Sequence, residues 1–136
     1  MKVIRWILFF LFCFFILWTT LLKRTPNGKH SIELGLFWSY RLLLSGDSYG
    51  KVEVKQNIQN VLFFIPFGIL IPTKQLKIVF ISALSLSFLI ELLQYICCLG
   101  LAEIDDVICN TIGAIMGFCF VLLIRKKIIN KVKNVI

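Results

Sequence analysis

Apolar residues come in four runs separated by polar breaks, and the runs have the lengths of membrane helices. Trp6 to Leu22 is apolar except for Thr19 and Thr20, and Ile58 to Pro72, Ile78 to Leu99 and Val107 to Ile124 follow. A hydrocarbon core about 30 Å thick needs roughly 20 helical residues at about 1.5 Å each. The third and fourth runs meet that length, whereas the second needs its polar flanks to cross. The pattern predicts an all-α integral membrane bundle of four transmembrane helices, over about residues 6–22, 57–73, 78–99 and 107–124.

Local signals refine this outline. The first run has the length of a signal peptide, yet it ends in Leu-Leu-Lys-Arg with no small-residue cleavage site, which predicts a retained first span. Pro66 removes a helix hydrogen bond in the middle of the second run, so a kink or break is expected there. Residues 23–57 are the longest polar connection. Within them SIELGLFWSYRLLL carries Phe37, Trp38, Tyr40 and a leucine triplet too briefly to span, which predicts an interfacial or re-entrant segment because aromatic rings favour the headgroup layer. With no internal repeat or low-complexity linker, residues 1–136 read as a single domain.

Composition removes the soluble alternatives. A chain of 136 residues that is 59% hydrophobic, with a mean hydropathy of +0.90, exceeds what a soluble core needs. The excess of 15 Lys and Arg over 7 Asp and Glu flanks apolar runs and builds no basic face, so it marks topology and predicts no nucleic-acid partner. Four spans place both termini on one side. Lys2, Arg5, Lys74, Lys77, Arg125, Lys126, Lys127, Lys131 and Lys133 fall there, against Lys23, Arg24, Lys29, Arg41, Lys51 and Lys55 in the first loop and none in the third. The balance predicts a multi-pass protein of the bacterial plasma membrane with both termini cytoplasmic. The five cysteines, at 13, 97, 98, 109 and 119, lie in or beside apolar runs without metal-site spacing. They read as small apolar residues, and no metal or cofactor is expected.

Candidate chemistry sits in the polar residues of the apolar runs. Asn57 and Asn60 open the second, Glu91 and Gln94 lie in the third, and Asp105, Asp106 and Asn110 open the fourth. Connectivity puts all three groups in one half of the bilayer, whichever way the chain inserts. Glu91 and Gln94 are three apart, while Asp106, Asn110, Gly113 and Gly117 recur at four, three and four, which makes one helical stripe. Glu91 lies nine residues before Gly100, roughly 13 Å below the loop, where an unpaired charge costs on the order of 3 kcal/mol. It requires a partner, a proton or water. No Lys or Arg occurs between Lys77 and Arg125, so a cationic partner is expected from Arg41, Lys51 or Lys55 of the first loop. Protonation with a bond to Asn60, Gln94 or Asn110 is the alternative. Such residues also glue membrane helices together at about 0.6 kcal/mol per contact, and Asp105 and Asp106 suit a helix start. Gly113-x-x-x-Gly117 reads as close packing inside the chain rather than a dimer contact.

Three segments in order, NVLFFIPFGILIP at 60–72, IELLQ at 90–94 and EIDDVICNTIGAIMG at 103–117, resemble the VanZ-like family of small bacterial membrane proteins. The resemblance covers residues 57–124, and its motif residues fall on Asn60, Pro66, Gly68, Pro72, Glu91, Gln94, Asp106, Asn110, Gly113 and Gly117. Many members resemble Gly-Arg-x-x-Asp-x-Asp-Asp ahead of the fourth span, whereas this chain reads CLGLAEIDD with no Arg. The family is named after an accessory protein associated with resistance to teicoplanin, a lipid-bearing glycopeptide that binds peptidoglycan precursors at the outer membrane face.

Residues and resemblance together point to a non-enzymatic membrane protein. Its outward cleft, built from Asn60, Pro66, Glu91, Gln94, Asp106 and Asn110, would act on the cell envelope and on glycopeptide susceptibility. Its expected partners are the lipid bilayer and a lipid-linked cell-wall precursor or another envelope protein. The alternative is a membrane enzyme on a lipid-linked cell-wall substrate, with Glu91, Asp105 and Asp106 as catalytic acids or metal ligands. No Ser-His-Asp set exists, and the single histidine, His30, lies in the first loop. A transporter matches only the break expected at Pro66 and requires oligomerisation.

Overall fold

The computed structural model describes residues 2–133. Its helices are α1 (Lys2–Leu17), α2 (Trp38–Leu44), α3 (Ser48–Leu70), α4 (Leu76–Ile96) and α5 (Ile104–Lys133), with two three-residue strands, β1 (Ser31–Glu33) and β2 (Leu101–Glu103). Three helical stretches are long and apolar enough to cross a membrane: Val3–Leu22, Leu76–Ile96 and Ile104–Lys131. α3 has the length, at 23 residues, but its first half carries Lys51, Glu53 and Lys55. The fourth apolar crossing expected from the pattern is therefore the second half of a helix that begins nine residues before Asn57. Pro66 does not break α3, which runs through it to Leu70.

Two devices fix the helix ends. Thr19 and Thr20 turn their hydroxyls back to the carbonyls of Phe15 and Ile16, a bonding habit that loosens helix ends. There α1 widens into a π-helical turn, Trp18–Leu22, closed by Lys23 N–H on the Trp18 carbonyl at 2.9 Å. At the other end of the bundle the Arg5 guanidinium donates to the carbonyls of Ile69, Leu70 and Ile71 at 2.8 to 3.0 Å. These are the orphan acceptors of α3's last turn. Arg5, a topology signal in the sequence, is also a C-terminal cap.

α3 and α5 pack side by side in parallel. A Cβ on Gly113 would overlap the Val61 carbonyl, one on Gly117 the Ile65 carbonyl, and one on Gly68 the Ala114 carbonyl. The glycine pair is thus a contact within the chain, where missing side chains let two backbones meet. Around this seam lies an apolar core of Phe9, Ile16, Phe64, Phe67, Val79, Ala83, Ile90 and Phe118. Phe9 of α1 meets Phe67 of α3 with ring centroids 5.1 Å apart. Large apolar side chains also cover the outside of the helices, among them Phe10, Phe14, Phe88 and Phe120, as expected where the surrounding medium is lipid.

The first loop is more structured than its composition announces. β1 pairs in parallel with β2, Ile32 opposite Ala102, a small sheet absent from the all-α expectation. The aromatic segment forms α2, a helix of 7 residues, set against the start of α3 where a Cβ on Gly50 would overlap the Leu43 backbone.

Candidate functional site

α1 and α4 end, and α3 and α5 begin, at one end of the bundle, and its polar side chains meet there. Five of the seven carboxylates are buried at this end: Glu53, Glu91, Glu103, Asp105 and Asp106. Burial of so many acids calls for donors.

Glu91 meets the backbone. Its Oε2 accepts the Glu103 N–H at 3.1 Å, so the residue just ahead of α5 is docked on α4. The first-loop cation expected for Glu91 is not Arg41, Lys51 or Lys55. Arg41 donates to the Leu36 carbonyl, and the charge that acts on both Glu91 and Asp106 is that of Arg24. A Cβ on Gly100 would meet Arg24 Nη1 at 2.9 Å. Arg24 therefore lies beside the CLG turn, where the resemblance had led to the expectation of an Arg from the turn itself.

The three carboxylates at 103–106 divide their work. Glu103 Oε2 accepts from Trp38 Nε1 at 2.9 Å, and Asp105 Oδ1 accepts the Phe37 N–H at 2.8 Å. Phe37 has a left-handed backbone, φ 55°, which a bulky residue adopts only when its surroundings impose it. Asp105 thus holds the first loop rather than capping its own helix. Asp106 faces Gln56 and Asn60 of α3 and the Glu91 carboxylate of α4. Burial is the largest of the influences that together push the Glu103 carboxyl up to about 7. Within that balance the Trp38 bond pulls down, and the neighbouring charges of Asp106, Glu53 and Asp105 act in the same direction as burial.

Among the remaining residues singled out in the sequence, Asn110 donates to Ser87 Oγ at 2.7 Å. Since Ser87 lies one helical turn before Glu91, Asn110 is brought beside that carboxylate. Gln94 points to α1 instead and donates to the Thr20 carbonyl at 3.2 Å. Pro66 is six residues beyond Asn60, about 9 Å further along α3, in the apolar half of that helix. Asn57 is occupied with Ser39 Oγ at 2.8 Å. The sequence reading missed Glu53 and Gln56, and it has Glu103 in the EIDDV motif without a place in the cleft. Glu53 shares a helical stripe with Asn57 and Asn60, a pattern visible only once α3 is known to start at Ser48.

Among the described residues, three buried acceptors at this end have no partner: Asp105 Oδ2, Asp106 Oδ1 and Asn110 Oδ1. All are oxygens, so the site asks for hydrogen-bond donors or positive charge. Among the described residues no group of three or more His, Cys, Asp or Glu side chains is arranged to hold a metal. A Cys–His pair does form outside the cluster, with Cys98 Sγ 3.5 Å from His30 Nδ1 and 3.6 Å from Nε2. Near-equal distances take the sulfur off the lone-pair axis of either nitrogen, and Nδ1 already contacts the Tyr95 carbonyl at 2.8 Å. That geometry does not activate a thiol.

The sequence matches the VanZ/LLP1 family across residues 6–125. The chain belongs to the VanZ/LLP1 family. The match takes in the first span and the first loop, beyond the 57–124 segment that carries the quoted motifs. Protein VanZ of Enterococcus faecium is 41% identical over 69 residues, covering 46% of this chain and 42% of that protein. The chain is thus aligned with less than half of this curated VanZ relative. No solved structure matches. Together with three helices apolar enough to cross a bilayer, VanZ/LLP1 membership marks a membrane protein.

Proposed function

We propose that the chain is a multi-pass protein of the bacterial plasma membrane that lowers susceptibility to teicoplanin-type glycopeptides through an outward-facing acidic and amide cleft. α3 serves as the fourth crossing, with its polar first half shielded by α2 and α5. Both termini lie in the cytoplasm, so the cleft faces the cell-wall side. The observation that carries the reading is the set of three unpartnered buried acceptors on Asp105, Asp106 and Asn110, beside Glu91 and within reach of Asn60. Such a set suits a ligand rich in N–H, O–H or ammonium groups, as cell-wall precursors and their peptide-bearing partners are. Family membership supports the biological setting.

Two measurements test this. Expression in a susceptible Gram-positive host is expected to raise the inhibitory concentration of teicoplanin several-fold more than that of vancomycin, and an equal or absent rise rejects the drug-class reading. For topology, alkaline phosphatase fused after Ile136 is expected to be inactive while a fluorescent protein at the same place glows. An active phosphatase there puts the cleft on the wrong side.

A further inference from the structure

A second feature lies next to the acidic cluster but is chemically its opposite. Between α4, α5 and the β1–β2 pair is a cavity of about 410 Å³, lined by Leu84, Phe88 and Tyr95 of α4, Val107 and Ile108 of α5 and Ile32 of β1. Glu91 and Glu103 also border it, but they offer their methylenes, because their carboxylates are turned into the bonds with Glu103 N–H and Trp38 Nε1. The wall is carbon almost throughout. Water entering it finds no partner.

Shape narrows the occupant further. The cavity follows α4 from Leu84 to Tyr95, about 16 Å of helix, close to half of a hydrocarbon core about 30 Å thick. It opens sideways past Ile32, Leu84, Phe88 and Leu92, all exposed on the flank of the bundle. The volume falls in the range of small-molecule pockets. A packed helix is about 10 Å wide, too broad for it, so a second copy of the chain would insert no more than single side chains.

We infer that this cavity binds one linear hydrocarbon chain of a membrane amphiphile, held along α4 under the β1–β2 pair. The inference rests on the membrane reading above and deepens it. The chain comes either from a membrane lipid or from the acyl group of a lipid-bearing glycopeptide, and in both cases the amphiphile's head lies at the end of the bundle that holds Glu91 and Asp106.

The test uses the full-length protein in lipid nanodiscs with a diazirine-bearing palmitic acid, followed by peptide mapping of the cross-links. Labelling of α4 around Leu84 and Phe88 is expected to saturate. It should fall about tenfold in Leu84→Trp and in Ile108→Trp, which fill the cavity, and stay unchanged in Leu89→Trp, an exposed α4 position outside it. Two filling variants from different helices guard against one of them failing to fold. Labelling that rises linearly and spreads equally over α1 and α4, or that both filling variants leave intact, overturns the site. Competition by teicoplanin but not vancomycin assigns the chain to the glycopeptide, and competition by added phospholipid alone assigns it to membrane lipid. Either result supports the cavity. Saturable labelling without drug tolerance would reject the proposed function and leave the hydrocarbon site standing, while drug tolerance beside labelling that is linear and spread over α1 and α4 would overturn the site and leave the proposed function standing.

Discussion

Alanine at Glu91 or at Asp106 is expected to return teicoplanin tolerance to the level of a host lacking the protein, with the variant still present in the membrane fraction. Glu91 and Asp106 face one another from α4 and α5, Arg24 acts on both, and Asp106 Oδ1 is buried with no partner of its own. Glu91→Ala leaves the Glu103 N–H unsatisfied, a cost of about 1–3 kcal/mol, which damages the docking of β2 but does not dismantle apolar packing spread over α1, α3, α4 and α5. Glu91→Gln separates charge from shape. Its amide oxygen still accepts from Glu103, so a purely structural Glu91 would tolerate Gln, whereas a binding carboxylate would not. Gln94→Ala supplies the contrast, since Gln94 is spent on the Thr20 carbonyl and its loss should leave most of the tolerance. Susceptibility assays beside membrane immunoblots measure all four. Full tolerance from well-expressed Glu91→Ala and Asp106→Ala proteins would remove the acidic cluster from the functional reading.

How much of this was legible in the sequence depends on the kind of contact. Long apolar runs foretold α1, α4 and α5 because a membrane helix is specified by length and hydropathy, both of which are local. α3 was seen only in its apolar half. Its polar first half is hidden from a hydropathy scan, since Glu53 and Asn57 are satisfied or shielded by residues far away, such as Ser39 of α2. The convergence of Asn60, Glu91, Asp106 and Asn110 at one end followed from connectivity and spacing alone. Their partners did not follow. That Glu91 takes a backbone N–H, that Arg24 is the nearby cation and that Asp105 holds Phe37 are all contacts across 12 or more residues, and no period in the chain encodes them. The β1–β2 pair escaped for the same reason: three-residue strands are too short for an alternation to show, and this pair joins segments 70 residues apart. The Cys98–His30 proximity likewise depends on the fold of the first loop over the end of α4.

The glycine seam sets the second large effect, because the polar end of the bundle is held in register by the apolar contact below it. In the stripe Asp106, Asn110, Gly113 and Gly117, the first two residues face the cluster and the last two lie on α3, Gly113 against Val61 and Gly117 against Ile65. Any side chain at Gly113 or Gly117 must displace a main-chain carbonyl, which is already committed to the hydrogen bonds of α3 and does not swing aside as a side chain would. Gly117→Leu is therefore expected to cost at least about 3 kcal/mol, the upper end of ordinary overpacking, and to lower the apparent Tm of the detergent-solubilised protein by roughly 10 °C. Met116→Leu, next to it on the exposed side of α5, should be near neutral. Gly113→Leu should separate α3 from α5 closer to the site, so that Asn60 and Gln56 move away from Asp106 and tolerance falls even at temperatures where the variant stays folded. Fluorescence-detected size-exclusion after a heating series reads the stability, and cross-linking in membranes reads the oligomeric state. A Gly117→Leu protein as stable as the parent, or one that loses a cross-linked dimer while its monomer keeps its Tm, would place the seam between two chains and not within one.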